Sequence, residues 1–205
     1  WTRTIPHLSG DVVGAALMSA VFTTERIRKT EQVDLLWTGP DTQGIPLRRT
    51  DQALMELIRS AKQTLIIVSF AVYRFESILA EIRQAINRGV DVRLVLESES
   101  ESKGKVTFDM LGSVVEALPQ GVKVYVWPLE KRLKDEKGRH GSLHAKCAIA
   151  DSKSLFISSA NLTEYAFTLN MEMGVLILGG SQAEKLERHF TRLMEEGILA
   201  SYLER

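Results

Sequence analysis

The chain is poor in the residues that staple or break a fold: 205 residues hold one cysteine and five prolines. A lone Cys147 rules out an internal disulfide, and a chain of this length can bury enough apolar surface to fold without one. Long apolar runs are also missing. Near the start, the longest stretch without charge, residues 12–24, has 13 residues, where a spanning helix needs about 20. Its flanks do not read as a signal peptide, so no integral membrane contact is expected and a cytoplasmic location is. Nor does either charge dominate, with 26 Lys+Arg against 26 Asp+Glu. Any nucleic-acid binding must therefore use a local patch. The chain opens on Trp1 rather than Met, and residues upstream of it are expected.

Hydrophobic spacing divides what remains. Val12, Val13, Ala16, Leu17, Ala20 and Val21 recur at three and four, predicting a helix, and residues 33–37 read as a short strand before the Gly39-Pro40 turn. Residues 1–49 are thus expected to form a helical extension and short strand packed on the core, with residues 50–205 as a single catalytic domain. From Thr50 onward, helices and strands alternate. Thr50 or Asp51 would cap a helix buried through Leu54, Leu57 and Ile58; residues 65–70 follow as an apolar strand. Ile78, Ile82, Ala85 and Ile86 mark the next helix, Gly89 its terminator and residues 90–96 a strand. Met110, Val114 and Leu118 mark a third helix, which Pro119 and Gly121 end before strand 122–127. Strands 143–150 and 155–159 read as a hairpin around Asp151-Ser152-Lys153, followed by strand 173–178 and a helix through Ala183, Leu186, Phe190 and Leu193. The expected fold class is α/β, a mixed central β-sheet covered by helices on both faces. Residues 97–105, ESESESKGK, read as a solvated loop.

The chemistry concentrates in residues 140–178. His144 and Lys146 are two apart on a predicted strand, so an imidazole and an ammonium share one face while Cys147 points the other way. That combination suits a phosphate: a nucleophile or proton carrier beside a fixed positive charge. The hairpin returns Ser158, Ser159 and Asn161 toward His144, adding hydroxyl and amide donors. Glu172, before the next strand, is expected to orient the His144 ring. Arg74, Lys137 and Arg139 are candidate substrate-binding cations. Six cations, Lys131, Arg132, Lys134, Lys137, Arg139 and Lys146, stand against Glu130, Asp135 and Glu136. A zinc site is not expected, because His140, His144 and Cys147 lack a fourth ligand and alternation separates the last two.

The string His144-x-Lys146, Asp151, Ser159-x-Asn161 resembles the HxK(x)4D(x)6GSxN signature of the phospholipase D superfamily, with Ser158 where that family usually has Gly. The similarity covers roughly residues 51–205. More narrowly, Trp37-Thr38-Gly39-Pro40, Arg48-Arg49-Thr50 and residues 69–74 look like the phospholipase D-like components of bacterial DISARM phage-defence systems. The resemblance implies the phospholipase D-like fold and a metal-independent phosphodiesterase without cofactor, working through a phosphohistidine at His144. It also implies a homodimer, since one signature supplies one histidine, with His144 of both copies in one active site. Lys146 and Asn161 would hold phosphoryl oxygens, Ser159 would contribute less, and Asp151 reads as structural. DNA is the expected substrate ahead of RNA, with other defence-system proteins as further partners. Phospholipid phosphodiester chemistry and a silent nucleic-acid-binding or assembly subunit are the alternatives.

Overall fold

Residues 65–68 are buried on every side chain, and their alternation divides the core in two: Leu65 and Ile67 face one layer, Ile66 and Val68 the other. The computed structural model describes residues 9–70, 72–73, 76–97 and 110–202. Its elements in chain order are α1 (Gly10–Thr30), β1 (Glu31–Thr38), β2 (Arg48–Arg49), α2 (Thr50–Ser60), β3 (Thr64–Ser69), β4 (Val72–Tyr73), α3 (Glu76–Asn87), β5 (Asp91–Leu96) and α4 (Met110–Ala117). They continue with β6 (Lys123–Val126), a 3-10 turn (Leu129–Lys131), β7 (Cys147–Ala150), β8 (Ser154–Ser158), β9 (Leu162–Thr163), α5 (Glu164–Thr168), β10 (Glu172–Gly179), α6 (Gln182–Glu195) and β11 (Ala200–Ser201).

Nine strands form one mixed sheet in the order β11-β6-β5-β3-β7-β8-β10-β1-β2. β3, β5 and β6 run parallel, as strands joined through helices must, while β3-β7-β8-β10-β1 is antiparallel throughout. One face packs Leu65, Ile67, Leu94, Ala148, Phe156 and Leu176 against α2 and α3. The other packs Ile66, Val68, Cys147, Ile149 and Leu155 against Ala183 and Phe190 of α6. Helices on both faces of a mixed sheet are what the sequence predicted.

Local chemistry sets the joints. Gly89 takes φ 84°, and the amides of Gly89 and Val90 turn back to Ile86 and Ala85 to close α3. Thr50 does not cap α2 but begins it, with Arg49 at the cap position and paired to Asp51 in the first turn at 3.1 Å. Gly174 lies so close to β8 that a Cβ there would stand 2.5 Å from the Ile157 carbonyl. That close approach holds β10 against the strand carrying Ser158.

Two expectations about the extension need correction. β1 is longer than its apolar core suggested and pairs with β10 along its whole length, from Glu31–Gly179 to Thr38–Glu172. By contrast, α1 does not pack on the core: Leu17, Met18 and Phe22 are 60%, 76% and 68% exposed. Its apolar residues spread around the cylinder instead of forming one stripe, so no single face could be buried.

Candidate active site

The catalytic candidates gather where β7 begins, β8 ends and β10 begins. β7 starts at Cys147, so His144 and Lys146 lie in its extended approach rather than inside the strand. The Ser158 amide donates to the Lys146 carbonyl at 3.2 Å and extends the β7–β8 pairing by one residue. Lys146 Nζ is 3.4 Å from each nitrogen of the His144 ring and donates to the His144 carbonyl at 3.0 Å. Imidazole and ammonium therefore do share a face. The ring is exposed, with Phe70 beside it at 5.4 Å between centroids, while Lys146 is half-buried. Burial pushes the Lys146 ammonium below its ordinary pKa, and the negative charge of Glu172 partly offsets that shift.

The Ser159 hydroxyl donates to Glu172 Oε2 at 2.5 Å and accepts from the Met173 amide at 3.1 Å. It fastens the end of β8 to the start of β10. The other Glu172 oxygen accepts from Asn170 Nδ2 at 3.1 Å. The hydrogen bonds of Glu172 thus go to Ser159 and Asn170, not to His144 as expected; within one copy the carboxylate acts on Lys146 through its charge. Asn161 follows β8, half-buried, and its Oδ1 is buried without a hydrogen-bond partner.

Asp151 is a tether. It and Ser152 both take positive φ, 53° and 56°, and Lys153 donates to the Ala150 carbonyl, which makes a tight two-residue turn with left-handed residues at both centres. The Asp151 carboxylate accepts from the amides of Lys62, Gln63 and Thr64 at 2.9, 2.7 and 2.9 Å. Burial pushes its carboxyl up, but the three amides and Lys153 together hold it below the ordinary value. The signature aspartate thus pins the hairpin to the start of β3.

Of the basic patch predicted before His144, only Arg132 is buried; Lys131, Lys134, Lys137 and Arg139 stay exposed, two of them engaged by neighbours. Arg132 is buried and paired with Glu97 at 2.5 Å, the two side chains 4% and 5% exposed. Lys131 bonds the Gly197 carbonyl, and Arg139 pairs with Asp135 at 2.7 Å. Lys137 remains exposed, whereas Arg74 lies outside the described residues. Glu97 opens the segment read as a solvated loop, yet it is itself buried; residues 98–105 lie outside the described residues. Glu97 Oε2 accepts from the Leu143 amide at 2.5 Å, and Arg132 donates to the carbonyls of Trp127 and Gly141. The sequence marked Arg132 only as a patch cation and Glu97 only as part of a loop, because each sits in a charged run that looks solvated.

Among the described residues, no three His, Cys, Asp or Glu gather as metal ligands. Cys147 is buried in the core beneath α6, and burial pushes its thiol up to about 12. His140 is held through Nδ1 at the Leu129 carbonyl, and His189 lies exposed on α6. Among the described residues, no helix is long and apolar enough to cross a membrane.

Residues 54–194 match the family model described as cardiolipin synthase, PLD-like domain. The chain belongs to the phospholipase D-like family. Among curated members, the DISARM protein DrmC of Bacillus paralicheniformis is 27% identical over 155 residues, 74% of this chain and 59% of that protein. Cardiolipin synthase A of Pseudomonas aeruginosa is 30% identical over 145 residues, 69% of this chain and 27% of the synthase. This phospholipase D-like chain therefore spans less than two thirds of either relative. The phospholipase D-like fold is shared with NucT from Helicobacter pylori, TM-score 0.63 and 22% identity over 80% of this chain and 96% of that one. It is shared too with Nuc, a phospholipase D family member from Salmonella typhimurium, TM-score 0.56 and 20% identity over 84% and 98%.

Proposed function

We propose that the protein is a metal-independent phosphodiesterase that hydrolyses DNA through a phosphohistidine at His144, as a homodimer serving phage defence. The observation that carries this reading is the exposed His144 ring with the Lys146 ammonium 3.4 Å away, the latter under the charge of Glu172. Similarity to the DISARM protein DrmC supports the defence role.

In this scheme a ring nitrogen of His144 attacks phosphorus. The P–N bond forms as the P–O bond to the leaving strand breaks, and His144 of a second copy gives its proton to the departing oxygen. That second imidazole, now neutral, takes a proton from water; the water oxygen attacks phosphorus and the P–N bond breaks. The products are a phosphomonoester, a hydroxyl end and the free imidazole. Lys146 and the Asn161 amide meet the charge gathering on the nonbridging oxygens. A second copy is required because one copy supplies no other suitable imidazole among its described residues: His140 is engaged at Leu129 and His189 lies on α6.

One observation favours a lipid phosphodiester instead. Leu169, Met171 and Met173 flank Glu172 and are 71%, 69% and 62% exposed, an apolar rim that a lipid enzyme would use. Incubation with labelled single-stranded DNA, duplex DNA and phospholipid vesicles, all in EDTA, separates the two. Cleavage of DNA that falls about 10³-fold or more in His144→Ala supports the nuclease; turnover of vesicles alone supports the lipid reading. DNA cleavage retained by His144→Ala ends the phosphohistidine scheme.

A further inference from the structure

We infer that Glu97 and Arg132 are positioning residues for His144, a buried ion pair that fixes the backbone from which the imidazole projects; this rests on the reading of His144 as the nucleophile. The connection from β6 to β7 contains only the 3-10 turn and one isolated bridge, Lys134–His140. Nothing in its own secondary structure holds its last residues in place. The His144 side chain is equally free of anchors, meeting Lys146 and the Phe70 ring but no carboxylate. Its position therefore depends on the backbone to either side: β8 holds the following side through the Lys146 carbonyl, and the preceding side needs a hold of its own.

The preceding side is held from beneath. Arg132 donates through Nε and Nη2 to the Trp127 carbonyl at 2.9 and 2.6 Å, and through Nη1 to the Gly141 carbonyl at 3.1 Å. Its Nη2 also meets Glu97 Oε1 at 2.5 Å, and its guanidinium lies 5.4 Å from the Trp127 ring centroid. The second Glu97 oxygen takes the amide of Leu143, the residue immediately before His144. One planar cation thus ties Trp127 at the start of the connection to Gly141 near its end, and one carboxylate just past β5 fixes the amide of Leu143. Burying both charges is expensive, and stability alone would be served as well by an apolar pair. The bonds to Gly141 and Leu143 give the charges a different use: they set the approach of His144, where an error of about 1 Å costs about 10²-fold in rate. Glutamate is needed because its two oxygens accept separately, Oε1 from Arg132 and Oε2 from the Leu143 amide, whereas an amide there would turn an NH2 toward one of these donors.

The test compares Glu97→Gln and Arg132→Lys with the wild-type chain. Three readouts are taken: thermal unfolding, the proton resonances of the His144 ring, and steady-state cleavage of labelled DNA in EDTA. The expected result is a folded protein whose His144 ring resonance shifts or broadens while that of exposed His189 does not. kcat should fall about 10²-fold with KM within twofold. Arg132→Lys keeps the charge but cannot reach Glu97, Trp127 and Gly141 together, so it reports the same effect if Glu97→Gln does not fold. A wild-type protein that cleaves no DNA overturns the nuclease reading, while the ring resonances still decide the positioning role. Folded variants with an unchanged His144 resonance, or with kcat intact and only KM raised, overturn the proposal.

Discussion

Lys146 is held between two opposing influences, burial that disfavours its charge and Glu172 that favours it. Burial wins, so its pKa lies below the ordinary lysine value of 10.5. Under the proposed function, in which a charged Lys146 meets phosphoryl oxygens, that charge is lost earlier as pH rises. The Lys146 titration should lie below 10.5, and Glu172→Gln, which removes the favourable charge, should move it lower still. Titration of the Lys146 side chain by NMR checks both statements without relying on turnover. A Lys146 titration unmoved or raised by Glu172→Gln would show that the two groups are not coupled. The Ser159 hydroxyl gives the same site its rigidity, since it bonds both Glu172 and the Met173 amide across the β8–β10 junction.

At the scale of elements, the turn between β7 and β8 joins parts of the chain far apart in sequence. Two consecutive left-handed residues are costly for non-glycine side chains, and the Asp151 carboxylate offsets that cost by binding three amides at the start of β3. Ser152 is steadied in turn by Glu187 of α6, which accepts from its amide and hydroxyl at 2.7 and 2.8 Å. Asp151→Ala should cost about 1.5–3 kcal/mol, as three backbone amides lose a charged acceptor, measured by denaturant unfolding at neutral pH. The sign with pH follows from a folded-state pKa below the ordinary 3.8. The stabilisation is present in full above that ordinary value and is lost as pH falls through the lower folded value, so wild type and variant should converge in acid. A gap that stays constant into acid would mean the carboxylate charge is not what holds the turn.

The hairpin was legible in the sequence because Asp151-Ser152 sits between two apolar runs and local chemistry decides a turn. The same holds for His144 and Lys146, whose two-residue spacing settles that they share a face. What local pattern could not show was partnership at a distance. Glu97 and Arg132 each look solvated among charged neighbours, and only the meeting of β5 with the connection after β6 buries them together. The apolar residues of α1 misled for the converse reason, since hydrophobic content alone does not make a buried face.

For the whole molecule, the apolar rim beside Glu172 bears on how a site with one imidazole is completed. Two copies of His144 can reach one phosphorus only if the surface around the site lies against a second copy, and a twofold axis brings each residue beside its own counterpart. Leu169, 71% exposed, lies on that surface three residues from Glu172 and outside the groups assigned to chemistry. A glutamate there would set two like charges near each other across the axis and strip an apolar contact from the interface. If the protein pairs through this rim as the proposed homodimer, Leu169→Glu should weaken the dimer about 30-fold, equivalent to about 2 kcal/mol. Sedimentation equilibrium gives the dissociation constant, and DNA cleavage measured across protein concentration should fall and recover with the dimer fraction. The lipid reading expects something else of the same substitution: an unchanged association state with vesicle turnover reduced. A Leu169→Glu protein that stays dimeric and cleaves DNA at the wild-type rate would remove this rim from the interface and require the second imidazole to arrive from another side.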